Sequence, residues 1–225
     1  MQGRTHLVAG TALALGILYP QRPEILIAGT GVAALGSVIS DIDSAGSGAG
    51  QDAMKAGAAC AAIMIAAYFA DAFFQTGIYE QLLQEGSRNS GFVWMLVFIL
   101  LCAFGILSSH RSFMHSLTGG ILLSGCVWKI LPSVWPYFAV GFSSHLALDL
   151  MNRKGSRLLF PKKKLYCLGW FKSSGRVNRI ILSVGIIALV LFFYRSARPL
   201  LEELDAAGKL QTIQETARKL FFRSG

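Results

Sequence analysis

Apolar positions in this chain come in runs too unbroken for alternating strands and too complete for one-sided helices. Residues 56–70 (AGAACAAIMIAAYFA), 92–107 (FVWMLVFILLCAFGIL), 117–131 (LTGGILLSGCVWKIL) and 180–194 (IILSVGIIALVLFFY) carry a single charge among them, Lys129. With flanking residues each approaches the ~20 needed to cross a bilayer as a helix. Two runs nearer the amino end, Leu7–Tyr19 and residues 25–39, are shorter, so their helices must tilt, lie partly in the interface or begin among polar flanks. The first follows a lone Arg4 and leads into "PQRPE" without a small-x-small cleavage site, so it reads as a retained helix. The pattern predicts helices over about 5–19, 24–40, 53–74, 92–108, 117–131, 134–151 and 178–195. The expected fold class is therefore all-α, a polytopic transmembrane bundle of about six to seven apolar helices. After Arg198-Pro199 the pattern changes: Leu210, Ile213, Ala217 and Leu220 recur at helical steps, as in an amphipathic helix lying on a membrane or a partner. Residues 1–195 are expected to form the membrane-embedded domain and 196–225 the amphipathic tail.

Composition agrees. The 225 residues are 53% hydrophobic and 15% charged, against roughly 25% charged in a soluble domain; mean hydropathy is +0.52. The net charge of +9 is unevenly spread, since nine of the 21 Lys and Arg fall between Arg153 and Arg179, including Lys162-Lys163-Lys164. In a membrane protein such a cluster reads first as a cytoplasmic anchor on anionic lipid. No DNA- or RNA-binding module surrounds it, and no nucleic-acid partner is expected. The cysteines (Cys60, Cys102, Cys126, Cys167) include no C-x-x-C pair and read as packing residues, neither disulfides nor thiolate metal ligands.

The chemistry-bearing residues are all polar exceptions to the apolar pattern. If each run crosses once, His6, Asp41 and Asp43, His110, Arg111 and His115, and His145 and Asp149 share one membrane face, which holds all four histidines. The sharpest motif is "HLALD", His145–Asp149, whose helical i, i+4 spacing stacks the imidazole over the carboxylate. Asn152, seven residues from His145, continues the same stripe. An Asp in an apolar segment costs ~2.5–3.5 kcal/mol on insertion scales. Either a shared divalent metal or a His–Asp hydrogen bond would offset that cost. "SDIDS" (Ser40–Ser44) supplies two carboxylates that could cap helix ends or bind an ion. His6 in "RTHLVAG" suits a membrane boundary or a ligand role, with Gly10 one turn later permitting close helix approach. "HRSFMHS" is a polar loop placing Arg111 on lipid phosphates, or it completes a site, for which a turn must bring both histidines to one cavity. Together these imidazoles and carboxylates suit zinc, manganese or iron, one or two ions, and the absence of nearby thiols argues against a structural Cys-type zinc site.

"THLVAG", "DID", "HRSFMHS", "HLALDL" and the following "LLFP" (Leu158–Pro161) carry a resemblance. Over residues 1 to about 165 the chain resembles the bacterial membrane-bound metal-dependent hydrolases of the YdjM type, also called DUF457. The family's loop reads closer to H-R-G-x-T-H-S; here Ser112 and Met114 stand at the Gly and Thr positions. "HLALD" is also similar to the H-x-x-x-D helix motif of zinc-dependent phospholipase C. The resemblance implies a bacterial inner-membrane protein that hydrolyses a phosphoester of a lipid or lipid-linked head group; the basic cluster, on the same face as the candidate site, predicts that face to be cytoplasmic. The resemblance also implies metal ligands His6, Asp41, His115, His145 and Asp149, with Asp43, His110 and Arg111 as catalytic groups. Arg111, Asn152, Arg153 and Lys154 would bind phosphate, the basic cluster gathering anionic substrates. Two rival functions fit the same residues: a non-catalytic membrane protein braced by a structural metal, and a divalent-cation or proton transporter. Against transport, none of the runs 56–70, 92–107 or 180–194 offers a mid-membrane carboxylate.

Overall fold

The structure, a computed structural model, describes residues 2–44, 88–109, 111–153, 155–170 and 175–206. These form six α-helices: α1 (Gly3–Leu18), α2 (Pro23–Val38), α3 (Arg88–Leu107), α4 (Leu117–Ile130), α5 (Trp135–Met151) and α6 (Arg176–Ala206). Two short 3-10 turns, Ile39–Ser44 and Phe113–His115, follow α2 and precede α4. Among the described residues there is no strand, only an isolated antiparallel bridge between Ser156 and Tyr166. The expected helix at 53–74 and the amphipathic tail around 210–220 lie outside the described residues, as do His110 and Lys154.

Local chemistry sets the helix ends. Pro23 and Pro136 sit in the first turns of α2 and α5, where a missing N–H costs nothing. Ser116 caps α4, its Oγ accepting the Gly119 N–H at 3.0 Å. Tyr19 ends α1 in the left-handed region (φ 40°) and returns its N–H to Leu15. One expected boundary was wrong: α6 does not stop near 195 but continues through Pro199 to Ala206. Proline removes one helical hydrogen bond without ending this helix, and contacts on both sides support it. The Arg195 guanidinium lies 4.3 Å over the Tyr19 ring, and Arg198 Nε donates to Glu202 at 2.8 Å.

α5 is the central helix, packed on α1, α2 and α4; α6 lies along α1 and α3 along α4. Contact between α1, α2 and α5 depends on small residues. A Cβ added at Gly36 would strike the Phe138 carbonyl, one at Gly141 the Ala33 carbonyl, and one at Gly10 the Ser37 and Ser144 side chains. Helices approach this closely in membranes because, without a strong hydrophobic drive, packing of small residues supplies the attraction. The outer surface is apolar instead. Ile180, Val184, Ile187, Val190 and Leu191 on α6 are exposed, as are Leu96, Ile99 and Leu100 on α3. By length and composition, Pro23–Asp43 and Arg176–Pro199 could each cross a membrane, while Val93–Leu107 and Leu117–Ile130 are shorter apolar helices. The cysteine expectation holds for Cys126, which is buried, but Cys167 is exposed, because it lies outside the helices on a surface segment.

Candidate metal centre

Four elements converge at one end of the bundle. His6 is in the first turn of α1, Asp41 and Asp43 are in the 3-10 turn that ends α2, His115 is in the turn before α4, and His145 and Asp149 are on the last turns of α5. Each is there for a local reason. Gly10 and Gly141, one turn from His6 and His145, let their helices close on α2. The tight Phe113–His115 turn brings His115 inward, the half of the "HRSFMHS" expectation that falls on described residues. Ser112 adopts φ −107°, ψ −102° and donates its hydroxyl to the Ser109 carbonyl. Met114 is fully buried against Gly105 of α3.

The side chains meet at coordination distances. His115 Nε2 lies 3.4 Å from His145 Nε2, 3.6 Å from Asp41 Oδ1 and 3.5 Å from Asp149 Oδ2. His145 Nε2 lies 3.8 Å from Asp41 Oδ1 and 4.0 Å from Asp149 Oδ2. His6 approaches the other Asp149 oxygen, Nε2 to Oδ1 at 3.5 Å, and stacks on His145 with centroids 4.0 Å apart. All three imidazoles are almost completely shielded from solvent. These separations exceed those of good hydrogen bonds, 2.7–3.2 Å. Those around His115 Nε2, 3.4–3.6 Å, match the spacing, about 3.3–3.6 Å, of ligand atoms arranged tetrahedrally around an ion with bonds of about 2.0–2.2 Å, while the two from His145 Nε2 to the carboxylates, 3.8 and 4.0 Å, are longer.

The tautomers sharpen the argument. His145 Nδ1 lies 2.8 Å from the Ser37 carbonyl, which can only accept, so Nδ1 carries the proton and the Nε2 lone pair points into the cluster. Behind His115, Asp43 Oδ2 faces Nδ1 at 3.4 Å and also accepts the Arg111 main-chain N–H at 3.1 Å. Asp43 thus orients an imidazole, as carboxylates behind metal-binding histidines do. With Nδ1 of His145 protonated, and with the Asp43 carboxylate favouring the proton on Nδ1 of His115, two imidazole Nε2 atoms and two carboxylate oxygens converge, an arrangement that favours positive charge at its centre. A proton supplies part of it. Burial opposes charge on His115, but Asp41 and Asp43 outweigh that and push it up to about 9. A divalent cation would supply more, and Asp41 and Asp149 together would neutralise it. Two groups of donors could hold such an ion, His6–Asp41–His145 and His115–His145–Asp149, with His145 common to both.

Arg111 closes the cluster. Its Nη2 lies 3.5 Å from Asp149 Oδ2 and its Nη1 donates to the Gly155 carbonyl at 2.9 Å. At 17% side-chain exposure it is the most open charged group there. Its backbone sits at φ 61°, a strained value for a side-chain-bearing residue that the Asp43 hydrogen bond helps to hold.

Matched over residues 1–207 is the family model described as YdjM inner membrane protein. The chain belongs to the YdjM inner membrane protein family. No curated protein and no solved structure matches it. In this YdjM-family chain the structure brings together all five residues expected as ligands: His6, Asp41, His115, His145 and Asp149. It places Asp43 behind His115 and Arg111 against Asp149. Asn152 is buried beyond Asp149, neither of its amide atoms having a hydrogen-bond partner among the described residues, and Arg153 is exposed. What sequence reasoning missed are two main-chain acceptors, the carbonyls of Ser37 and Gly155, which leave no side-chain signature. Exchange of Asp43 for Asn keeps its shape but removes the charge facing His115. The expected result is metal affinity lower by about 10–100-fold, read by competition with a chromogenic chelator.

Proposed function

We propose that this protein is a multi-pass inner-membrane hydrolase, metal-dependent, that cleaves a phosphoester of a lipid or lipid-linked head group. The observation that carries the reading is the shielded two-imidazole, two-carboxylate constellation with a guanidinium on its open side. Imidazole and carboxylate donors favour zinc, with manganese or iron compatible. The holding residues would be His6, Asp41, His115, His145 and Asp149. A divalent ion there supplies Lewis-acid activation of water and of a phosphoryl oxygen.

The chain's own groups do the rest. Arg111 offers guanidinium N–H groups to the phosphate and stabilises the charge that builds on it. Asn152 offers a buried amide, unpartnered among the described residues, to the head group. Asp43 holds His115 in place, and His110, adjacent to Arg111 in the chain, is the remaining acid–base group. Arg153 and Lys154 would attract the anionic substrate towards this edge. We place the site at the cytoplasmic face because the basic residues 153–179 follow α5 directly and positive loops stay inside. In this reading all six described helices and the apolar run at 56–70 lie in the membrane.

The test is turnover by the full chain in detergent, loaded with zinc, manganese or iron, on phospholipids and isoprenoid phosphates. Arg111→Ala should retain metal and lose about 10²–10³-fold in kcat/KM. Absence of turnover by every metal-loaded form, with thermal stability alone depending on the ion, would instead establish a structural brace.

A further inference from the structure

Residues 155–170, which carry the lysine triplet, form a folded clasp. Ser156 and Tyr166 exchange both backbone hydrogen bonds at 3.0 Å, closing an excursion that holds Lys162, Lys163 and Lys164 at its outer end. Gly155 opens it at φ 67°, where a Cβ would press within 3.1 Å of the Tyr166 carbonyl. One limb is fastened to the loop that bears Arg111 and His115. Arg157 N donates to the Arg111 carbonyl at 3.2 Å, Leu117 N to the Leu158 carbonyl at 2.9 Å and Thr118 Oγ1 to the Phe160 carbonyl at 2.9 Å. Phe160 packs edge-on against Phe113, centroids 5.7 Å apart. The other limb is fastened to the end of α5, through Leu168 N to the Leu150 carbonyl at 2.7 Å and Trp170 N to the Met151 carbonyl at 3.0 Å.

The outward surface of this clasp is both basic and greasy. The three lysines are exposed, and so are Leu165, Leu168 and Trp170 at 57–67%. No acidic residue occurs anywhere from Asn152 to Ile180. A surface facing water gains nothing by exposing a tryptophan and two leucines. A lipid head-group layer accepts both kinds of side chain, lysines on phosphates and the indole and leucines at the acyl boundary. The clasp's depth agrees with this. Only six residues beyond Trp170 begins α6, whose apolar stretch Arg176–Pro199 is almost wholly unburied within the protein and long enough to cross a membrane. The clasp therefore sits where an outward-facing apolar helix ends.

We propose that residues 155–170 form a dock for anionic phospholipid head groups, with Lys162, Lys163 and Lys164 binding the phosphates and Leu165, Leu168 and Trp170 entering the lipid. The dock is fastened by hydrogen bonds to the Arg111 loop, so it holds anionic lipid at the edge of the metal centre. Its existence does not depend on the hydrolase reading.

The exposed thiol of Cys167 provides a reporter. Full-length protein with Cys60→Ala, Cys102→Ala and Cys126→Ala, labelled at Cys167 with an environment-sensitive fluorophore, is titrated in uncharged detergent with short-chain phosphatidylglycerol or phosphatidylcholine. Phosphatidylglycerol should give a saturable response at least tenfold tighter than phosphatidylcholine. Lys162→Gln/Lys163→Gln/Lys164→Gln should weaken it at least tenfold, and the triple Lys→Arg variant should restore it, with metal content equal in all three. Equal affinity for both lipids, or an unchanged titration in the glutamine variant, would overturn the dock. Tighter binding of a single-stranded oligonucleotide than of phosphatidylglycerol would overturn it in favour of a nucleic-acid surface. Metal content and turnover are read separately, so loss of the dock leaves the metal centre standing, and the converse.

Discussion

His145→Ala protein, purified beside wild type and analysed by inductively coupled plasma mass spectrometry, is expected to have lost its divalent metal, with affinity reduced well beyond 100-fold. His145 belongs to both donor groups found among the described residues, so its removal takes a ligand from each. Loss of a group that hydrogen-bonds a metal-binding imidazole already costs about 10–100-fold in affinity, and loss of a shared ligand must cost more. The variant also leaves Asp41 and Asp149 facing each other's charge with one imidazole fewer, so a lower melting temperature accompanies the loss. Metal binding to wild type should weaken as pH falls, by up to tenfold per unit. The ion has to displace the proton that Asp41 and Asp43 hold on His115, which titrates near 9. Equal metal content in wild type and His145→Ala would remove the basis for the whole centre.

Gly141→Ala is expected to destabilise the protein by about 1–3 kcal/mol or more, and to lose metal as well, although residue 141 binds nothing. The added methyl would strike the Ala33 carbonyl, which belongs to the backbone of α2 and has no rotamer by which to move aside. The two helices must part. Parting them draws the His145 imidazole, four residues on, away from the Ser37 carbonyl that sets its tautomer. Thermal unfolding in detergent measures the first effect and chelator competition the second. Gly125→Ala on α4 is the control, since open space surrounds that position. A Gly141→Ala protein as stable and as metal-loaded as the control would show that the helix crossing does not position the site.

Much of this architecture was legible in the chain because apolar runs and helical spacing are local signals. His145 and Asp149 could be paired from i, i+4 geometry alone, and Gly10 could be read as a point of close approach. His6, Asp41 and His115 could be grouped with them only by counting membrane crossings and by resemblance to the YdjM family, since nothing in their own surroundings names a partner. The end of α6 was misplaced because the apolar run stops at Tyr194, while the helix continues to Ala206 with the Tyr19–Arg195 and Arg198–Glu202 contacts, which leave no signal in the apolar pattern. Asp43 was expected as a catalytic group. Its position behind His115 follows from a turn whose direction the sequence leaves open. The clasp at 155–170 was hidden for a related reason: it is held almost entirely by main-chain hydrogen bonds, and any side chains could make those.

The bond from His145 to Ser37 ties folding and chemistry at a single atom pair. The Ser37 carbonyl is among the last of α2, where helical acceptors run out of partners, and the imidazole satisfies it from the neighbouring helix. One planar ring therefore finishes a helix with one nitrogen and can grip an ion with the other. An ionised carboxylate or thiolate could take the ion but has no proton to give the Ser37 carbonyl, so neither could be grafted at position 145 without giving up one of the two tasks.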